Sequence, residues 1–216
     1  MKGLFISFEG TEGCGKSTQI SLLADRLRKM GCFVRSLREP GGTPIGEEIR
    51  HTLKHSHANQ AMTPETELLL MNASRAQLVR EVIRPALDAG EIVLCDRFYD
   101  STIAYQGYGR QMSLSTVRQA IDLAVGDTRP HLTLLLQVSQ EVSEARRLAR
   151  QPNLPLEIQR DRFEENDRAF FDRVALGYKA IATSEPTRVR QIDAGSSVEE
   201  VRSAIWHCIQ PLLARR

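Results

Sequence analysis

The chain has 216 residues, 41% hydrophobic and 26% charged, with 29 Lys and Arg against 27 Asp and Glu for a formal charge of +2. That length suits one domain with a substantial core, and the composition is that of a soluble globular chain. So small a charge argues against a nucleic-acid partner, no run approaches a membrane span, and Lys2 leads into a short strand rather than a signal-like apolar core. Cys14, Cys32, Cys95 and Cys208 form no C-x-x-C pair, so reduced thiols of a cytoplasmic protein are expected. Cys14 stands near a helix N-terminus, which favours its thiolate, although a small tolerated loop residue explains it as well.

The first predicted strand covers residues 3–8, where Leu4-Phe5-Ile6-Ser7-Phe8 is apolar and β-prone. Residues Gly10 to Ser17, GTEGCGKS, then fit the pattern G-x-x-x-x-G-K-[ST]. Thr18 to Met30 follows with Ile20, Leu22, Leu23 and Leu27 at helical spacing. Strand, glycine loop and helix is the context in which this motif holds a nucleoside polyphosphate. Gly10, Gly13 and Gly15 allow backbone conformations that a side chain forbids, so the loop N–H groups converge on phosphates at the positive end of a helix starting near Lys16. Lys16 adds a cation toward the β- and γ-phosphates, and the Ser17 hydroxyl can ligate Mg²⁺. Mg²⁺ keeps most of its water, so one protein hydroxyl suffices. The expected ATP contacts are Gly10, Thr11, Glu12, Gly13, Cys14, Gly15, Lys16, Ser17 and Thr18.

The second predicted strand, Cys32 to Leu37, runs into Arg38-Glu39-Pro40-Gly41-Gly42-Thr43. A long apolar helix opens at Pro64 behind Thr63 and closes at Gly90. The third strand, Glu91 to Cys95, ends in Asp96-Arg97, an acid able to hold magnesium through water and an arginine able to fork onto a phosphate. Leu132 to Val138 and Val189 to Ile192 are the fourth and fifth strands. Ser197-Val198-Glu199-Glu200 reads as a capping box opening the last helix. Short apolar strands separated by helices predict an α/β chain, a parallel sheet covered on both faces, with ligands beyond the strands' carboxyl ends. Singly, the charged pairs at those ends read as solvated ion pairs; together with Arg50 they make a polar rim. No repeat or linker divides residues 1–216.

Residues Ala145 to Arg168 carry Arg146, Arg147, Arg150, Arg160, Arg162 and Arg168, interrupted by Pro152 and Pro155. A charged, solvated helix pair is the plain interpretation. Beside a phosphate-binding loop, a flap at about 147–162 that brings arginines to a transferred phosphoryl group is preferred.

These residues carry a wider likeness. FEGTEGCGKST (Phe8–Thr18), REPGGTPIGEEIR (Arg38–Arg50), ASRAQ (Ala73–Gln77), DRFYDSTIAYQG (Asp96–Gly107), RPHLTLLLQV (Arg129–Val138) and DRFEENDRAFFDRV (Asp161–Val174) resemble the bacterial thymidylate kinase family along nearly the whole chain. The resemblance implies a three-layer P-loop nucleoside monophosphate kinase fold with a five-stranded parallel sheet flanked by helices. It implies transfer of the ATP γ-phosphoryl group to dTMP with Mg²⁺, giving dTDP and ADP, commonly in a homodimer.

Position by position, the resemblance makes Arg97 the holder of the acceptor 5′-phosphate, with Arg50 assisting. It puts Glu12 near the acceptor's sugar and phosphate, and Glu39 and Asp96 around metal and phosphate. Arg75, Thr102 and Gln106 fall at thymine-contacting positions, and Tyr105 lies against the sugar's 2′ carbon. Some members carry a catalytic arginine in the loop position held here by Gly13; members with glycine there use the lid, so Arg150 and Arg160 are expected to supply the charge, with Arg147 and Arg162 next.

One departure stands out: Met71 occupies the position of a phenylalanine that stacks on thymine. Its sulfur can face a base, or Met71 can be core beside Leu68, Leu69 and Leu70. A kinase of relaxed base preference, and a P-loop switch that transfers nothing, are the alternative readings.

Overall fold

Five apolar runs become the strands of one all-parallel sheet in the computed structural model, which describes residues 3–139, 141–143, 145–146 and 167–214. β1 (Leu4–Glu9) is central, flanked by β3 (Ile92–Asp96) and β4 (Leu132–Gln137), with β2 (Val34–Arg38) and β5 (Val189–Asp193) at the edges. The register sets Ser7 beside Cys95 on one side and Thr133 on the other. β1 is buried along its length because both sheet faces are covered, whereas edge strand β2 is half exposed.

Alternation along β1 feeds two cores. Leu4, Ile6 and Phe8 pack with Leu23 and Leu27 of α1 (Lys16–Lys29) and with Ile205 and Ile209 of α8 (Val198–Leu213). Phe5 faces the other way, toward α3 (Pro64–Leu78), α5 (Tyr99–Thr102), α6 (Leu114–Val125) and α7 (Arg168–Ser184). Helices, sheet and helices therefore make the three expected layers. α2 (Pro44–Lys54) packs on α3. Thr43, Thr63, Asp167 and Ser197 each accept a first-turn N–H, and Ser197 with Glu200 completes the predicted capping box.

The expected boundaries shift at two places. Cys32 N–H still bonds the Leu27 carbonyl at 3.1 Å in the turn that ends α1, so β2 starts only at Val34. The single helix expected from residue 64 to 89 is an α-helix to Leu78, a π-helical turn over Val79–Ile83, and α4 (Arg84–Asp88). Pro85 offers no N–H and crowds the preceding turn, and the wider winding ahead of it relieves that conflict.

The chain leaves β1 toward β2, returns to β3, then crosses to β4 and β5. The change of direction lies beside β1, and the crevice at the carboxyl ends of β1 and β3 is where such sheets take ligands.

Candidate active site

The loop after β1 is shaped by three glycines with positive φ: 133° at Gly10, 76° at Gly13 and 93° at Gly15. A Cβ on Gly10 would run into the Leu136 carbonyl, and one on Gly13 would stand 2.6 Å from the Ser143 carbonyl. Lys16 folds back over the loop and is almost wholly buried; its Nζ donates to the carbonyls of Gly10 at 3.1 Å and Thr11 at 3.0 Å. Cys14 is buried with its sulfur 3.6 Å from that ammonium, which fits the small loop residue of the two sequence readings. Ser17 Oγ donates to Asp96 Oδ2 at 3.1 Å, so the loop hydroxyl and the acid that ends β3 meet. Two hard oxygens side by side suit a hydrated Mg²⁺. Among the described residues no group of three or more His, Cys, Asp or Glu is arranged for a metal ion.

Arg97 follows Asp96 in a left-handed conformation, φ 67°, its N–H held by the Phe8 carbonyl at 2.9 Å. That turn swings the guanidinium back over the glycine loop. Nη2 pairs with Glu12 Oε1 at 2.7 Å and donates to Tyr105 Oη at 3.3 Å, with the guanidinium carbon 5.1 Å from the Tyr105 ring centre. Nη1 donates to Ser101 Oγ at 3.1 Å and Tyr178 Oη at 3.2 Å. Arg97, and more weakly Lys16 and Lys54, hold the Glu12 carboxyl well below the usual carboxylate range against the opposing effect of burial.

Two adjoining cavities meet here. The first is walled by Glu12, Glu39, Pro40, Lys54, Met71, Arg75, Arg97, Phe98, Ser101, Thr102, Tyr105 and Gln106. The second is walled by Glu12, Gly13, Gly15, Lys16, Ser17, Thr18, Arg38, Glu39, Arg50, Lys54, Asp96 and Arg97. Glu12, Glu39, Lys54 and Arg97 belong to both walls and mark the junction. The second cavity holds the phosphate-loop residues; the first holds every residue expected to read a base.

Within the first cavity Arg75 is fixed rather than free. Its Nε donates to Glu39 Oε2 at 2.9 Å, Nη1 to Asn72 Oδ1 at 2.9 Å, and Nη2 to the Phe98 carbonyl at 3.3 Å. Burial pushes the Glu39 carboxyl up, with Arg75 opposing. Gln106 is held by Glu67 Oε1 at 2.7 Å, and Thr102 is buried beside it. Met71 is half-buried; it walls the cavity and also packs on the core. Glu39, expected around the metal and acceptor phosphate, walls the junction of both cavities and is also ion-paired with Arg75. Arg38 Nη1 and Arg50 Nη1 both donate to the Pro40 carbonyl, at 3.1 Å and 3.0 Å, which draws the Arg38–Thr43 loop toward the second cavity.

Arg147, Arg150, Arg160 and Arg162, and all of the expected lid at 147–162, lie outside the described residues. Sequence reasoning missed four others: Glu9, Lys54, Ser101 and Tyr178. Glu9 and Ser101 stood inside the quoted strings, and an acid ending an apolar strand was a usable signal. Lys54, at the end of α2, and Tyr178, on α7, belong to no recognisable pattern.

The chain is similar to known proteins of one family. The family model for thymidylate kinase matches residues 8–205. A thymidylate kinase of Syntrophotalea carbinolica is 49% identical over 202 residues, covering 94% of this chain and 93% of that protein. One from Pseudomonas fluorescens is 46% identical over 215 residues, 100% of this chain and 99% of its own. The crystal structure of thymidylate kinase from Ehrlichia chaffeensis superposes with a TM-score of 0.76 at 32% identity, covering 97% of this chain and 99% of that one.

Proposed function

The chain belongs to the thymidylate kinase family, and from that premise we propose that it transfers the ATP γ-phosphoryl group to dTMP across the junction of the two cavities. The observation that carries this is the shared wall: a phosphate loop on one side and a base-reading chamber on the other meet at Arg97 and Glu12. In the step itself, a 5′-phosphate oxygen of dTMP bonds to the γ-phosphorus while the β–γ bridging bond breaks and ADP leaves. The acceptor oxygen is already anionic, so positioning and charge neutralisation are what the protein must supply.

Main-chain N–H groups of the Gly10–Gly15 loop, with Thr11, Cys14 and Thr18 nearby, hold the ATP phosphates, and Lys16 follows the migrating charge. Arg97 grips the acceptor phosphate, Arg50 assists, and Glu12 orients Arg97 through their ion pair. Arg75, Thr102 and Gln106 read thymine, Met71 lies against it, and Tyr105 guards the sugar. Ser17 and Asp96 would hold Mg²⁺, Asp96 through water, and the bound ion would neutralise charge on the β- and γ-phosphates. Arg150 and Arg160, in the proposed 147–162 lid of a single 1–216 domain, supply charge that Gly13 does not. A homodimer in the cytoplasm is the proposed setting. Among the described residues no helix is long and apolar enough to cross a membrane.

A coupled ADP-release assay with ATP and a panel of nucleoside monophosphates tests this. Turnover with dTMP, lost in Lys16→Ala and in Arg97→Ala, is expected. Equal turnover of dUMP and dTMP would move the reading to a relaxed deoxynucleotide kinase, which the half-buried Met71 favours. ATP binding with no turnover of any monophosphate would leave only a switch.

A further inference from the structure

Glu9, which walls neither cavity, ends β1 with its carboxyl group fully buried. Oε1 accepts the Phe98 N–H at 2.7 Å. Oε2 accepts two hydroxyls, Ser101 Oγ at 2.5 Å and Tyr178 Oη at 3.0 Å. The same two hydroxyls accept Nη1 of Arg97. A hydroxyl has one proton, so once that proton is committed to Glu9 the oxygen can only present lone pairs to Arg97. With both protons turned to Glu9, the two hydroxyls, 2.9 Å apart, face Arg97 with lone pairs and together fix one end of the guanidinium, leaving Nη2 to Glu12 and Tyr105.

We propose that Glu9 and Tyr178 are positioning residues for the acceptor phosphate: they aim Arg97 through a two-hydroxyl bridge while touching neither substrate themselves. This rests on the reading of Arg97 as the phosphate ligand. Ser101 walls the first cavity, whereas among the described residues Glu9 and Tyr178 wall neither, so any effect of theirs on ligand must pass through an intermediary. The arrangement joins three separate parts of the chain: the end of β1, the turn after β3, and α7. It also anchors Arg97 where its backbone is already turned left-handed, so the side chain is constrained from both ends.

The test compares dTMP with thymidine, which carries the same base and sugar without the phosphate. Calorimetry on the full chain, for the wild type, Tyr178→Phe, Glu9→Gln and Arg97→Ala, separates aim from fold. Loss of one hydrogen bond to a charged group is expected to weaken dTMP roughly tenfold in Tyr178→Phe. Thymidine affinity and the KM for ATP are expected to stay at the wild-type value, and Glu9→Gln should show the same selective loss. If Glu9→Gln fails to fold, Tyr178→Phe decides alone. Equal weakening of dTMP and thymidine, or wild-type dTMP binding in Tyr178→Phe while Arg97→Ala loses it, overturns the proposal and leaves Arg97 in place. Unchanged discrimination in Arg97→Ala overturns the phosphate-ligand reading and this proposal with it.

Discussion

Glu39 and Arg75 form a nearly water-free ion pair: Glu39 Oε2 lies 2.7 Å from Arg75 Nη2, with side chains 3% and 2% exposed. Among the described residues the other oxygen, Oε1, has no hydrogen-bond partner, although Glu39 walls both cavities. The pair crosses from the loop after β2 to the last turn of α3, and it fixes the guanidinium of Arg75 in the wall of the first cavity.

Removing one member of such a pair strands the other. Glu39→Ala should cost about 3–5 kcal/mol of stability, because Arg75 keeps its charge with no acid beside it. Glu39→Gln retains an acceptor for Arg75 and should cost less, while raising the KM for dTMP more than that for ATP. Urea unfolding of both variants with steady-state kinetics checks this; Glu39→Ala as stable as the wild type would show that the ion pair is energetically idle.

Gly13 and Gly15 share a positive φ but differ in surroundings: beyond Gly15 nothing stands within 4 Å of an added Cβ, whereas at Gly13 the Ser143 carbonyl is 2.6 Å away. Alanine at either position pays the left-handed backbone cost of ~1–2 kcal/mol. Gly13→Ala should lose more, since a carbonyl must also move, and should raise the KM for ATP further. Thermal melts of the two variants give the comparison, and equal losses would mean the Ser143 segment yields freely.

Burial, then Asp100, push the Glu9 carboxyl up from 4.5 to about 7, against the opposing pull of Ser101, Arg97 and the Phe98 amide. Tyr178 also faces it, and Asp100 is itself held by Arg188 at 2.7 Å. The folded chain therefore holds this proton more tightly than the unfolded one. Its contribution to stability is complete below about 4.5 and is lost as pH rises through about 7. At ~1.4 kcal/mol per pH unit, that amounts to roughly 3 kcal/mol. Glu9→Gln has no proton to lose, so its unfolding free energy should be flatter than the wild type's between about pH 4.5 and 7. Parallel pH profiles for the two proteins would remove the carboxyl from this account.

Met71 offers a flexible, half-buried wall where an aromatic ring would be rigid. Met71→Phe should tighten dTMP binding by about 0.5–1.5 kcal/mol, the increment of an aromatic pair beyond area burial. Calorimetric titration reads this directly, and unchanged or weaker affinity would place the base elsewhere in the cavity.

Local sequence sufficed wherever neighbouring residues make the structure. The Gly10–Ser17 loop needs only its own glycines and the helix that follows, the capping box at Ser197 closes within four residues, and continuous apolar strands announce a sheet covered on both faces. The π-helical turn before Pro85 was invisible because an apolar stripe reads alike through α and π winding. What only the tertiary structure decided was which charges meet. Glu39 pairs with Arg75, 36 residues away, and Tyr178 reaches Glu9 across 169 residues. Hydrogen bonds and ion pairs act over a few ångströms, and no periodicity in the chain records which side chains a strand crossover will bring within that reach.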